Sequence, residues 1–324
     1  MSRPFAPRLR VSTYLSAWMP SGDTVRQSVA GYFAGGTTGT AQSGIDKLAF
    51  PAETVTTLSA TLTTARRYPA GLTDSGVAGY LGGGTDGTNR SGIDKIAFPA
   101  DTKTTLSATL TSARSALGSF SNTGVAGYFG GGYDGSNAQN NIDKITFPAD
   151  TKSTLAATLT SAVSQVQGMT NYGVAGYLGG GQDSGSNFLN RIDKLTFSNE
   201  TKSTLSATLT TAYSQAGMAD SGVAGYFGGG YTGSAELNVI DKITFPADTK
   251  TTLAATLSSE RGWVTGVADS GVAGYFGGGG EAGGATYLSG IDKIAFPAVT
   301  KSTLAATLSQ TKYGMGSFAD CGVF

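Results

Sequence analysis

The chain has 324 residues, of which 49 are glycine, only 14% are charged and none is histidine; Lys+Arg (22) balances Asp+Glu (22). Zero net charge gives no general attraction to nucleic acid or to an anionic membrane surface. A single cysteine leaves no intramolecular disulfide and no thiolate zinc cluster, and the missing histidine removes His-based triads, His-ligated zinc or copper and imidazole acid–base chemistry.

Residues 1–27 come first and are unlike the rest. They open on a basic stretch with Arg3, Arg8 and Arg10 and continue through the mixed sequence Val11-Ser12-Thr13-Tyr14-Leu15-Ser16-Ala17-Trp18-Met19-Pro20. A secretory signal needs roughly 7–15 apolar residues after its basic start, so no signal peptide is expected. No run reaches the roughly 20 apolar residues of a membrane-spanning helix, and no membrane insertion is expected. The segment reads as an N-terminal arm whose arginines anchor the protein to a larger assembly.

From residue 28 onward the chain is a repeat. Ile-Asp-Lys recurs six times, with its aspartate at Asp46, Asp94, Asp143, Asp193, Asp241 and Asp292. In the third unit, Val125 to Phe129 predicts one strand, which runs into Gly130-Gly131-Gly132. Ile142 to Phe147 predicts a second, whose alternation puts Asp143, Ile145 and Phe147 on one face. Pro148 to Thr151 predicts a turn, with proline presetting φ. Thr154 to Leu159 predicts a third strand and the region of Gly168 to Thr170 a fourth, and Asn171-Tyr172-Gly173 turns into the next copy. No segment carries a capped helical period, so almost no helix is expected.

Four short strands at a period near 50 residues predict an all-β propeller over residues 28–324. The final segment, 314–320, matches the strand that precedes Gly31-Tyr32-Phe33, so it closes the ring by pairing with the first blade. That predicts six four-stranded blades; a seventh from residues 9–27 is the alternative. The aromatics of the Gly-Tyr strand, with Phe50, Phe98, Phe147, Phe197, Phe245 and Phe296, are expected between blades, and the glycines where strands crowd toward the axis.

The paired glycines (Gly35-Gly36, Gly83-Gly84, Gly131-Gly132, Gly180-Gly181, Gly229-Gly230, Gly278-Gly279) and the spacing resemble kelch repeats. The chain departs from that pattern in Phe-Pro after the second strand and in leucine (Leu58, Leu106, Leu155, Leu205, Leu253, Leu304) where kelch repeats carry tryptophan. A kelch-type copper oxidase needs histidines that are absent. The repeats also resemble kelch-like proteins encoded by bacteriophages, cyanophages among them. This resemblance implies a virion structural or attachment protein (tail, baseplate, fibre or capsid decoration), assembled in the host cytoplasm, with other virion proteins as partners and no nucleic acid. A lectin-like adhesin or receptor-binding protein for a host surface glycan is the alternative.

Two kinds of turn barely vary among the six copies, and two kinds of loop differ in each. The variable loops are those after the glycines (37–43, 85–91, 133–141, 182–191, 231–238, 280–289) and those joining units (65–69, 113–117, 162–167, 212–216, 260–265, 310–313). Variable loops on a uniform frame are where scaffolds carry binding. Their aromatics Tyr68, Tyr133, Phe188, Tyr213, Tyr231, Trp263, Tyr287 and Tyr313 are the candidate binding residues. The Asp-Lys pair, written six times, reads as structural, with each aspartate hydrogen-bonded between blades. The loop acids Asp86, Asp134 and Asp183 read as Asx turns. No catalytic residue, metal site or cofactor is expected, and the protein reads as a non-enzyme.

Overall fold

A computed structural model describes residues 29–320; the arm with Arg3, Arg8 and Arg10, and Cys321, lie outside the described residues. The described chain is a propeller of six four-stranded antiparallel blades. In blade 3 the strands run outward from the axis as Gly118–Asn122, Ala126–Gly130, Ile142–Thr146 and Thr151–Thr154. The innermost strands of blades 1 to 6 are Gly316–Asp320, Ala70–Asp74, Gly118–Asn122, Gln167–Asn171, Ala216–Asp220 and Thr265–Asp269, each packed on the next around the ring. Blade 1 is composite: Gly316–Asp320 pairs antiparallel with Ala30–Ala34, from Ala30↔Asp320 to Ala34↔Gly316. Closure by the last strand removes an open edge between the first and last blades. Helix is confined to one 3₁₀ turn, Ala282–Gly284, among the described residues.

One expected strand is displaced. The outermost strand is Thr151–Thr154, not 154–159, and its last pair is Asp143↔Thr154. Beyond it the chain leaves the sheet so that Leu155 and the buried Leu159 pack onto the hydrophobic cluster of their blade. Equivalent leucines Leu58, Leu106, Leu205, Leu253 and Leu304 pack likewise against the other clusters.

The glycines act in a layer further in than expected. The innermost strand precedes the Gly-Tyr strand, and its own glycine meets the neighbouring blade: a Cβ on Gly168 would lie 1.8 Å from the carbonyl oxygen of Ser119. The Gly-Tyr strand comes second, and its glycine receives a side chain, with Phe120 lying 1.9 Å from the Cβ position of Gly176. The paired glycines turn out of that strand at positive φ, +67° and +100° at Gly131 and Gly132, a conformation that L side chains resist.

Tyrosine and its successor alternate to opposite faces of the sheet. Tyr128 joins the core on one side of blade 3, and Phe129 joins the core on the other. Each tyrosine stacks on the phenylalanine of the next blade, as Tyr177 does on Phe245 at 5.2 Å and Tyr226 on Phe296 at 5.3 Å.

Two rings of polar contacts tie blade to blade. The buried aspartates form the inner one. Asp143 accepts the Thr111 N–H (2.9 Å) and hydroxyl (2.5 Å) from the segment arriving from blade 2, the Thr154 hydroxyl (2.9 Å), and the Arg114 guanidinium (2.9 Å). Asp94 binds Arg66, Asp292 binds Arg261 and Asp46 binds Lys312 in the same way. These cations look scattered in the sequence but hold one equivalent place: the carbonyls of Arg66, Arg114, Val163, Ala212, Arg261 and Lys312 each accept the N–H of the second glycine of a pair. Where that place holds Val163 or Ala212, the outer-strand lysine that also reaches the aspartate in blades 2, 3 and 6 remains, Lys202 at 3.7 Å from Asp193 and Lys250 at 3.1 Å from Asp241, and Arg191 adds a contact to Asp193 at 3.6 Å.

The second ring joins Tyr and Lys of one blade to an acid of the next. Tyr177 donates to Asp248 Oδ1 (2.8 Å) and Lys194 to Asp248 Oδ2 (2.6 Å). Asp101, Asp150, Glu200 and Glu53 close four more junctions. At the junction of blades 5 and 6, Tyr226 and Lys242 meet a unit that carries Val299 at this position.

Candidate functional site

In blades 2 to 6 the two constant turns lie at one end of the strands and the two variable connections at the other, which follows from the strand register. At the variable end, six residues ring the mouth of the central channel: Tyr68, Ala116, Gln165, Ser214, Trp263 and Gly314. All six have left-handed backbone, with φ between +52° and +63°. They are linked main chain to main chain. Ala116 N–H donates to Tyr68 O (2.9 Å), Gln165 to Ala116 (2.6 Å), Trp263 to Ser214 (2.7 Å), Gly314 to Trp263 (3.2 Å) and Tyr68 to Gly314 (2.6 Å). At the sixth junction the Ser214 hydroxyl donates to Gln165 Oε1 (2.7 Å).

Left-handed backbone costs a non-glycine residue about 1–3 kcal/mol and persists only where the surroundings over-determine it. Here the closed ring over-determines it, and five non-glycine residues are held in place at the channel mouth.

The ring organises side chains above it. Trp263 donates its indole N–H to Gln165 Oε1 at 3.3 Å. Tyr313 lies at the centre of an aromatic cluster, 5.5 Å from Trp263, 6.1 Å from Tyr68 and 4.9 Å from Tyr287, with all three ring pairs tilted. Arg67 sits over the Tyr68 ring at 5.6 Å. Burial, and then Tyr313, push the Tyr68 phenol well above its ordinary range, so it stays a neutral hydroxyl.

A second cluster stands apart. Phe188 stacks on Tyr213 at 4.7 Å, and Tyr231 meets both edge-on. Tyr213 is buried, at 9% exposure, so it supports Phe188 and Tyr231 and is not itself an exposed contact as the sequence predicts. Tyr133 and Phe188 are the two of the eight that stand clearly in solvent, at 40% and 37%. The other five are half-buried.

Two concavities meet at this rim. The central channel, about 200 Å³, is walled by small residues such as Gly71, Ser119, Gly168 and Ser317, and no Asp, Glu, Lys or Arg lines it among the described residues. Its strands approach their neighbours backbone to backbone around the ring. The other concavity is a surface bowl of about 720 Å³ beside the rim, within the range of small-ligand pockets. Tyr68, Trp263 and Tyr133 supply aromatic surface to it, and Asn89, Gln165 and Gln182 supply amides.

Asp134 and Asp183 also reach this bowl, but their carboxylates are engaged. Asp134 accepts the N–H groups of Ser136 and Asn137, and Asp183 those of Gly185 and Asn187. These are Asx turns; the N–H groups of Asn137 and Ser136 hold the Asp134 carboxyl below the usual range, and the Asn187 side-chain amide, then its N–H, do so for Asp183. Asp86 does the same for Thr88 and pairs with Arg90. The bowl therefore offers aromatic faces and neutral amides backed by acids already in use.

Gln165, Gln182, Asn89 and Arg67 enter the site alongside the predicted aromatics. The signal for Gln165 and Arg67 is their position in the variable blade connections. No family model matches the chain, and no curated protein matches it.

Proposed function

We propose that the protein is a non-enzymatic attachment protein that binds through the bowl on its variable-loop face. The observation that carries this reading is the strained, hydrogen-bonded ring that presents Tyr68, Gln165 and Trp263 at one edge of a polar bowl. Within this reading the repeats are kelch-like and the protein is a virion component (tail, baseplate, fibre or capsid decoration). That assignment is supported by the likeness of its Gly-Tyr-Phe-Gly-Gly and Ile-Asp-Lys units to phage-encoded repeats. Its partners are other virion proteins, and the arm 1–27 fastens it to them.

A second reading, recognition of a host surface glycan, is favoured by the pairing of aromatic faces with amide groups around the bowl. Sugar rings present apolar C–H faces to aromatics and hydroxyls to amides.

The test is binding to whole cells and to a glycan array by the full chain and by the double variant Trp263→Ala/Tyr133→Ala. A loss of at least about 30-fold is expected, the size of a hot-spot effect of about 2 kcal/mol. Unchanged binding with an intact fold removes the bowl from the reading, and mass spectrometry of purified virions tests the assignment to a virion.

A further inference from the structure

Arg67 is the one arginine among the described residues whose guanidinium has no acid beside it. Arg66, Arg90, Arg114, Arg191 and Arg261 pair with Asp94, Asp86, Asp143, Asp193 and Asp292. The described lysines are paired too, save Lys242 at the seam where Val299 stands in place of an acid. A chain that gives almost every cation a carboxylate leaves one arginine open, and that arginine lines the bowl.

Its place is fixed by the main chain. Arg67 N–H donates to Thr85 O and Thr85 N–H to Arg67 O, both at 2.9 Å. The same bridge joins Ser115 to Tyr133, Ser164 to Gln182, Tyr213 to Tyr231, Gly262 to Gly280 and Tyr313 to Thr37, so the place is equivalent around the ring. The two places that follow Arg67 hold Ser115 and Ser164, whose short side chains also line the bowl. Where the place holds Tyr213 or Tyr313, the side chain joins an aromatic cluster instead. The guanidinium lies over Tyr68, which the ring at the channel mouth holds in left-handed backbone. A guanidinium stacked on an aromatic face keeps its in-plane N–H donors for a ligand, and that of Arg67 gives none of them to the described fold.

The acids of the bowl are occupied elsewhere. Asp134 accepts from Ser136, Asn137 and Gln139, and Asp183 from Gly185 and Asn187. A planar fork of free donors matches the two oxygens of a carboxylate. Two ionised acids in the same bowl weigh against a phosphate, with its charge of about −2.

We propose that the ligand of the bowl is a sugar carrying a carboxylate, a uronic or sialic acid, held by Arg67. The proposal rests on the second reading above, glycan recognition at the bowl. The carboxylate takes the guanidinium fork, the sugar ring lies against the aromatic surface of Trp263 and Tyr133, and its hydroxyls meet the amides of Asn89, Gln165 and Gln182.

The test is a glycan array probed with the full chain. Uronic-acid and sialic-acid glycans stand on it beside their methyl esters and beside sulfated glycans. The carboxylate forms are expected to bind at least about 10-fold tighter than their esters, the size of a charge-assisted hydrogen-bonded pair. Arg67→Gln is expected to bind acid and ester alike, and Arg67→Lys, which keeps the charge without the fork, to keep part of the preference. Whichever acid sugar is bound identifies the source of the carboxylate. An ester bound as tightly as its acid, a sulfated glycan bound more tightly than the carboxylates, or a folded Arg67→Gln that keeps the preference overturns the proposal and leaves glycan recognition standing. Binding to no glycan overturns both. If Arg67→Gln fails to fold, the comparison of acid with ester in the unaltered chain decides alone.

Discussion

At the scale of single residues, the cost of burying charge governs this molecule. Arg114 and Asp143 are both fully buried and 2.9 Å apart. Burial opposes the charged form of Asp143, yet hydrogen bonds from Thr111 and Thr154 and the Arg114 guanidinium outweigh it and hold the carboxyl below the usual range. A buried pair adds little net stability over an apolar substitute, but breaking one side of it strands a charge. Arg114→Ala leaves Asp143 its threonine donors and Lys152 at 3.2 Å, and is expected to destabilise the fold by about 1–3 kcal/mol in chemical denaturation; a loss under about 0.5 kcal/mol would contradict this account. Val163 at the same place in the next unit is tolerated because Lys202 and Arg191 both reach Asp193.

Between elements, the junction of blades 5 and 6 is the odd one. Its five counterparts place Glu53, Asp101, Asp150, Glu200 or Asp248 in left-handed backbone and close a Tyr–carboxylate–Lys contact. Val299 has the same backbone, φ +57°, where a β-branched residue is strained and offers no acceptor. Val299→Asp is expected to stabilise the protein by about 1–2 kcal/mol, through relief of strain and a new contact to Tyr226 and Lys242. Calorimetry should record a rise in Tm of a few degrees, and no rise would mean that this seam is not the weak one.

For the whole molecule, the absence of histidine and the depressed carboxylates set the pH dependence. Asp46, Asp143, Asp193 and Asp292 all titrate below the ordinary range in the folded protein, despite burial, because hydroxyl, amide and cationic donors hold the charged form. Between that lower value and the unfolded one of about 3.9, the unfolded chain binds more protons, so stability falls as pH falls. Their contribution is complete above about pH 4–5 and is lost as pH drops through the folded values. At the alkaline end the sign reverses. Tyr226 is pushed up to about 12, by burial first and then by Asp220, so its contribution is whole below pH 10 and is lost as pH rises through about 12. Melting temperature is expected to be level from pH 5 to 8 and to fall steeply below about pH 4; a transition near pH 6 would show that another group controls the fold.

The repeat by itself pointed to six blades, with a seventh left open, and to the closure by residues 314–320, the glycine turns, the inter-blade phenylalanines and the structural role of the six aspartates. Each is a local consequence of residue type recurring at a fixed spacing, so it needs no knowledge of which surfaces meet. Only the tertiary structure decided the rest. Arg66, Arg114, Arg261 and Lys312 become one ring of partners because the fold brings each blade connection onto the aspartate of its blade, while Val163 and Ala212 interrupt the pattern along the chain. The left-handed ring at the channel mouth exists because six connections converge there and bond to one another, which no single connection encodes. The eight loop aromatics separate into a rim cluster, a supported pair and a lone Tyr133 according to where each loop lands. Val77, Val125, Val174, Val223 and Val272 read in sequence as ordinary strand residues, and their exposure follows from their place in the turn just ahead of the second strand, outside the core.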